Sequence, residues 1–118
     1  MMRDVIFAVA GGMLVAMTAQ AQDAPAGSAE RGRGIYMQQL CFNCHGTVGH
    51  SGGVAGPKIA PQPFPWGAFA HQVRAPRQAM PPYSAKNLPD QDLADIYAYL
   101  VSIKPGPQAK DIPLLSGN

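Results

Sequence analysis

Two cysteines and a histidine lie within five positions of one another: Cys41, Cys44 and His45. Thiols at this spacing can form thioether bonds to two vinyl groups on one edge of a porphyrin. A histidine directly after the second thiol then lies under the iron as an axial ligand. The stretch Cys41-Phe42-Asn43-Cys44-His45 therefore predicts one covalently bound haem c per chain, with His45 as the proximal ligand.

Two other uses of a C-x-x-C pair are open alternatives. A zinc site needs about four ligands, and beyond the motif only His50, His71 and a few carboxylates are available. A thioredoxin-like dithiol site lies beside the strands of a βαβ unit, whereas the residues after His45 are rich in glycine and proline. The sequence favours haem over both.

The first 21 residues have the organisation of a secretory signal peptide. Arg3 gives a basic start, residues 5–17 are apolar, and Ala19-Gln20-Ala21 offers small residues for cleavage. The apolar run is shorter than the roughly 20 residues of a membrane-spanning helix, so we expect cleavage, with an uncleaved anchor as the alternative. The predicted location is the periplasm.

Cleavage after Ala21 leaves a mature chain long enough for one small domain. We assign residues 22–27 to a linker, 28–104 to the haem domain and 105–118 to a loose tail. Without Arg3 and Asp4 the chain has 8 Lys and Arg against 6 Asp and Glu, a charge of +2. The basic residues do not cluster, so we expect no nucleic-acid partner, and no stable membrane span.

Residues 28–40 predict the first helix. Ser28 can cap it, and Glu30 in the first turn complements the helix dipole. Gly32 and Gly34 each disfavour a helix by about 1 kcal/mol relative to alanine. We interpret both glycines as points where a second helix approaches closely, with a poor helix as the alternative.

Residues 89–103 predict that second helix, with Pro89 in its first turn. Its apolar face has the i, i+3, i+4, i+7 spacing of a buried helix surface, whereas Leu93 lies at the edge and Tyr97 off the face. The face consists of Ile96, Tyr99, Leu100 and Ile103.

The segment between the two helices, residues 46–88, is rich in glycine and proline and unusually long for a loop in a compact domain. Apolar side chains argue against a disordered linker. A large flat cofactor can supply the missing core, and a short helix is expected from about residue 65 to 73. The apolar side chains are Ile59, Phe64, Trp66, Phe69 and Val73.

Four side chains of the mature chain could fill the second axial position of the iron: Met37, His50, His71 and Met80. Met80 lies 35 residues after His45, far enough to pass round the porphyrin, and Pro81 and Pro82 stiffen its loop. We predict Met80 as the second ligand, with His71 or an open site as alternatives. A His/Met pair favours one-electron transfer at a higher potential than a His/His pair.

Four stretches together resemble the class I c-type cytochromes over about residues 28–104: residues 32–36, 41–46, 80–83 and 93–100. The resemblance implies a small all-α cytochrome c fold, in which the N- and C-terminal helices cross beside a covalently bound haem and the middle is irregular. It places Gly32 and Gly34 against Tyr99 and Leu100. The first helix departs from the commoner pattern by one extra residue between Tyr36 and Cys41.

The resemblance also implies roles for individual residues. Gly56-Pro57 looks like the glycine-proline pair whose backbone carbonyl orients the proximal imidazole, so Pro57 is expected to support His45. Arg74 and Trp66 are candidates for contact with the haem propionates, with a surface position and a core position as equal alternatives.

Residues 69–76 are similar to small bacterial cytochromes that accept electrons from periplasmic dehydrogenases. The resemblance thus implies an electron-transfer protein rather than an enzyme, with a dehydrogenase as donor and a respiratory chain as acceptor. The low net charge of the mature chain predicts docking through an apolar patch around the haem edge. The alternative is a peroxidase or gas-ligand sensor with an open or labile sixth site.

Overall fold

A computed structural model of the chain describes residues 24–51 and 55–115, and these ranges contain helices and no strand. The predicted signal peptide, residues 1–21, lies outside the described residues. The predicted all-α class is confirmed. The four α-helices are α1 Ala29–Gln38, α2 Phe42–His45, α3 Trp66–Arg74 and α4 Asp90–Ser102.

The start of α1 is held by its cap and by a buried carboxylate from α4. The Ser28 hydroxyl accepts a hydrogen bond from the Arg31 N–H at 3.3 Å, as predicted. The Ser28 N–H in turn donates to Asp95 Oδ1 at 2.7 Å, and Asp95 is 1% exposed. A carboxylate at this end of a helix complements the helix dipole, so Asp95 ties the two helices together.

The crossing of α1 and α4 depends on one glycine. A Cβ atom at Gly32 would overlap the carbonyl oxygen of Asp95 and lie 2.8 Å from the Ile96 nitrogen. A Cβ atom at Gly34 would meet nothing within 4 Å. The predicted close approach is thus correct for Gly32 and wrong for Gly34, because two residues along a helix is more than half a turn away.

The partners of this crossing also differ from the expected pair. Gly32 contacts Asp95 and Ile96, whereas Tyr99 packs against Tyr36, with the ring centroids 5.5 Å apart. The expected placement of Gly32 against Tyr99 and Leu100 is therefore wrong by about one helical turn. Tyr36, one turn after Gly32, fills the wider space between the helices.

The core extends along more of α4 than the four-residue pattern predicted. Leu93, expected at the edge, is 1% exposed, because α1 and the residues around the central cavity cover α4 from two directions. Tyr97, expected off the face, packs at its side against Trp66 and Phe69, with ring centroids 5.5 and 5.0 Å away. The broad face of α4 thus serves both α1 and α3.

Most of residues 103–115, which follow α4, are exposed to solvent. A short 3-10 helix forms at Ala109–Asp111, and the Leu114 side chain is 94% exposed. Within residues 24–51 and 55–115, no helix has the length and the apolar composition needed to cross a bilayer.

Candidate functional site

A cavity of about 1030 Å³ is lined by residues of all four helices and of the loops between them. This volume is at the upper end of the roughly 300–1,000 Å³ of small-molecule and cofactor sites. Its inner wall is apolar, with Leu88, Leu93, Ile96 and Leu100 all nearly inaccessible to solvent. The same cavity is lined by every predicted site residue: Cys41, Cys44, His45, Pro57 and Met80.

A tight turn connects the end of α1 to the attachment motif. The Leu40 N–H donates to the Met37 carbonyl and the Cys41 N–H to the Tyr36 carbonyl, both at 3.1 Å, which is a Schellman motif. Leu40 takes the left-handed position of that motif with φ 60°, where glycine is usual. The unusual spacing between Tyr36 and Cys41 is accommodated in this turn.

The attachment motif forms the single helical turn α2. The His45 N–H donates to the Cys41 carbonyl at 3.0 Å, so Cys41 and His45 lie on one face of that turn. Gly56 lies directly on this turn, because a Cβ atom there would be 2.8 Å from the Cys44 carbonyl oxygen and 3.2 Å from the Cys44 Cβ. Glycine at position 56 therefore lets the following residue reach His45.

The His45 imidazole is oriented by a backbone oxygen. Its Nδ1 lies 2.8 Å from the carbonyl oxygen of Pro57. A carbonyl oxygen only accepts hydrogen bonds, so in the neutral imidazole the proton is on Nδ1 and the lone pair is on Nε2. That lone pair is the form of histidine that binds a metal ion, and the hydrogen bond at Nδ1 increases its basicity.

Two tyrosine hydroxyls hold the residues that follow His45. Tyr36 donates to the Gly46 carbonyl at 2.7 Å, and Tyr99 donates to the Thr47 carbonyl at 2.8 Å. Burial, followed by the neighbouring Cys41 and Tyr99, raises the pKa of Tyr36 above its ordinary value, so its hydroxyl stays protonated and donates. Sequence reasoning did not identify this role, because the helical pattern indicated only that the Tyr99 ring is buried.

The Cys41 thiol is in an environment unlike that of a redox dithiol. Burial is the largest cause that raises its pKa, to about 11, and the nearby Cys44 adds to it against an opposing backbone hydrogen bond. Catalytic dithiols have lowered pKa values, because the thiolate is the nucleophile. Within the described ranges, no three His, Cys, Asp or Glu side chains come together in a way that could hold a metal ion such as zinc.

Met80 lines the cavity from the loop of residues 75–83, which follows α3. Its half-buried side chain packs against the core. The end of this loop is fastened to α3: the Tyr83 N–H donates to the Val73 carbonyl at 3.0 Å, and Arg74 Nη1 donates to the Tyr83 carbonyl at 3.0 Å. These bonds give the Met80 loop a defined endpoint.

Arg74 and Trp66, which were candidates for contact with the propionates, do not line the cavity. Arg74 instead forms an ion pair with Asp90 at 2.6 Å, besides its bond to the Tyr83 carbonyl. Trp66 packs on Tyr97. Besides His45, the cavity is lined by His71, which the sequence offered as an alternative iron ligand, and by Arg77, which sequence reasoning did not identify.

Comparison with known proteins identifies the family of this chain. Residues 27–100 match the family described as cytochrome c oxidase, cbb3-type, subunit III. The chain is also similar to cytochrome c-555 of Methylococcus capsulatus, with 34% identity over 96 residues that cover 79% of this chain and 77% of that protein. The resemblance to class I c-type cytochromes is thereby confirmed, with the haem and the electron-transfer function that it implied. The chain therefore belongs to this family of c-type cytochromes, which carry covalently bound haem c and transfer electrons.

Proposed function

We propose that the protein is a periplasmic one-electron carrier with a single haem c, attached at Cys41 and Cys44 and ligated by His45 and Met80. The bound haem supplies an Fe(II)/Fe(III) couple. The observation that carries the proposal is one apolar cavity whose lining contains two thiols, an imidazole with a free Nε2 lone pair, and a thioether.

The role proposed for His45 depends on Pro57. Because the Pro57 carbonyl oxygen lies 2.8 Å from Nδ1, the imidazole is held in one tautomer and one orientation. A fixed imidazole needs little reorientation between the two oxidation states. Gly56 supports the arrangement, since only glycine lets the backbone lie against Cys44.

The role proposed for Met80 is to fill the position opposite His45. A neutral thioether favours Fe(II) over Fe(III), so a His/Met pair gives a higher potential than a His/His pair. The buried wall formed by Leu93, Ile96 and Leu100 excludes water. An apolar environment disfavours the extra positive charge of Fe(III), so it also raises the potential. With both axial positions filled by side chains, small ligands are excluded, which suits a carrier better than an enzyme.

We further propose that a periplasmic dehydrogenase donates the electron and a respiratory chain accepts it. The similarity of residues 69–76 to cytochromes of that kind supports the donor. Leu40 and Phe64 line the cavity mouth and are 56% and 65% exposed, which supports docking through an apolar surface. The rate of electron transfer to a partner should therefore change little with salt over the ordinary range.

Export is part of the same proposal, with residues 1–21 as the signal peptide and cleavage after Ala21. Residues 28–104 form the haem domain, residues 22–27 a linker and 105–118 a tail. N-terminal sequencing of the protein secreted into the periplasm tests the cleavage site. An N-terminus at Met1 on a membrane-bound protein would instead support the uncleaved anchor.

The first experiment is a pyridine haemochrome spectrum after acid extraction, which removes haem that is not covalently bound. We expect a c-type spectrum with one haem per chain. The second compares carbon monoxide binding by the reduced wild type, Met80→Ala and Met37→Ala. The wild type should resist carbon monoxide and Met80→Ala should bind it at once.

Met37→Ala is the matched control, because Met37 is also a methionine of the mature chain but does not line the cavity. It should behave like the wild type. Rapid binding of carbon monoxide by the reduced wild type would contradict Met80 ligation and favour a peroxidase or a gas-ligand sensor. A protein without haem would overturn the attachment at Cys41 and Cys44.

A further inference from the structure

The side-chain amide of Gln72 contacts the Met80 loop at two points. Gln72 lies on α3, is half-buried and lines the cavity. Its Nε2 donates to Met80 Sδ at 3.9 Å, and its Oε1 accepts from the Arg77 N–H at 3.5 Å. The amide therefore bridges the backbone of the loop and the sulfur atom assigned to the iron.

The orientation of this amide is determined by its partners. The Arg77 N–H is a donor only, so it must face the amide oxygen, and the amide NH₂ group is then directed to the other partner. That partner, a thioether sulfur, is a weak acceptor and cannot donate. The two contacts thus agree on one orientation, in which Gln72 donates to Met80.

We propose that Gln72 is a positioning residue for Met80, and that its hydrogen bond to the sulfur raises the reduction potential of the haem. The inference rests on the proposed ligation of the iron by Met80. It has two parts: the amide places the sulfur, and the N–H group withdraws electron density from it.

The electronic part follows from the chemistry of a thioether. Its sulfur has two lone pairs, of which one can bind iron while the other accepts the Gln72 N–H. A hydrogen bond to the second lone pair makes the sulfur a weaker donor. Fe(III) needs that donation more than Fe(II), so the reduced state is favoured, as hydrogen bonds to metal ligands commonly tune a potential.

The positioning part follows from where the loop is anchored. Arg77, held by Gln72 Oε1, lies three residues before Met80, and Tyr83, held by the Val73 carbonyl, lies three residues after it. Met80 is therefore at the centre of a short span with both ends on α3. Loss of Gln72 frees the first end and leaves the second in place.

The test uses the intact haem protein with Gln72→Leu, and with Gln72→Met as a second variant of similar length should the first fold poorly. Both remove the N–H donor and the acceptor for Arg77. Gln38→Leu is the matched control, because Gln38 is exposed on α1 and does not line the cavity. The readouts are the midpoint potential and the proton NMR spectrum of the reduced protein, in which an iron-bound methionine has methyl signals shifted strongly upfield by the ring current.

We expect the equilibrium constant for reduction to fall about threefold in Gln72→Leu, which corresponds to about 30 mV at 59 mV per tenfold for one electron. The carbon monoxide binding rate should rise several-fold as the loop opens more often. Gln38→Leu should match the wild type in both. Complete loss of the methionine signal in the Gln72 variants would also support the positioning role.

Other outcomes overturn the inference in distinguishable ways. An unchanged potential and carbon monoxide rate in both Gln72 variants, with the methionine signal kept, would refute the role of Gln72 and leave Met80 ligation standing. Equal shifts in Gln38→Leu would likewise refute it. Absence of the methionine signal in the wild type would refute Met80 ligation itself, and the inference with it.

Discussion

Two regions of the molecule are stabilised differently: the crossing between α1 and α4, and the Met80 loop. At the crossing, the Gly32 backbone lies against the Asp95 carbonyl, and the Ser28 N–H donates to the buried Asp95 carboxylate. The Met80 loop, residues 75–83, is mostly exposed and is attached to α3 by a few hydrogen bonds at its ends.

This difference indicates how the two regions respond to change. The crossing has no spare volume, so a single added methyl group must separate the helices. The loop has few buried contacts and therefore belongs to the less stable part of the molecule, which opens locally without global unfolding. Substitutions at the crossing should change the free energy of unfolding, whereas substitutions around the loop should change ligand access and potential.

The largest effect on the free energy of unfolding is expected for Gly32→Ala, which disrupts the tightly packed crossing of α1 and α4. The new Cβ atom would overlap the Asp95 carbonyl oxygen, and relieving that overlap should cost about 3 kcal/mol. Denaturant unfolding of the haem protein measures it. A loss below about 1 kcal/mol would show that the crossing relaxes easily and that the contrast with the loop is smaller than the structure indicates.

The next effect concerns Tyr36, which lies in the same rigid region. Burial raises its pKa, so above pH 10 the unfolded chain releases this proton while the folded protein keeps it. The stability that Tyr36 contributes is full below pH 10 and falls as the pH rises above it, by up to about 1.4 kcal/mol per pH unit. Stability measured from pH 8 to 11 should fall less steeply in Tyr36→Phe than in the wild type, and equal slopes would contradict this.

Arg74→Met tests how the Met80 loop is attached to α3. It removes the hydrogen bond to the Tyr83 carbonyl and the pair with Asp90, whose carboxylate is 83% exposed. We expect a loss of about 1 kcal/mol in unfolding free energy. Amide hydrogen exchange of residues 75–83 should accelerate by a larger factor than that of α4.

Arg33→Met is the control for Arg74→Met, since Arg33 is exposed on α1 and does not line the cavity. Its unfolding free energy should stay within about 0.5 kcal/mol of the wild type. Uniform acceleration of exchange in Arg74→Met, with α4 affected as strongly as the loop, would show that the two regions unfold together.

The smallest effect, with the opposite sign, is expected for Gly34→Ala. A Cβ atom there would meet nothing within 4 Å, so the substitution should stabilise α1 by about 0.5–1 kcal/mol. Measured beside Gly32→Ala, it sharpens the comparison to two glycines of one helix. A destabilisation similar to that of Gly32→Ala would place the close contact elsewhere along α1.

Much of the site and the helices could be predicted because their signals are local. The Cys41–His45 motif has chemistry in its spacing, and the Ser28 cap lies where its residue type and position predict it. The predicted helices at 28–40, 65–73 and 89–103 correspond to α1, α3 and α4 with bounds that differ by one or two residues. The resemblance also indicated the Pro57 carbonyl, which lies 2.8 Å from His45 Nδ1.

The sequence by itself thus predicted covalent attachment of haem and determined the helices and most of the faces they bury, because a motif and a periodicity are properties of neighbouring residues. Only the tertiary structure decided that Gly32 and not Gly34 meets α4, that Arg74 pairs with Asp90, and that Gln72 reaches Met80. These outcomes depend on where the helices cross and how a loop returns to α3. Periodicity defines the face of a helix but not the point along its axis at which another segment meets it.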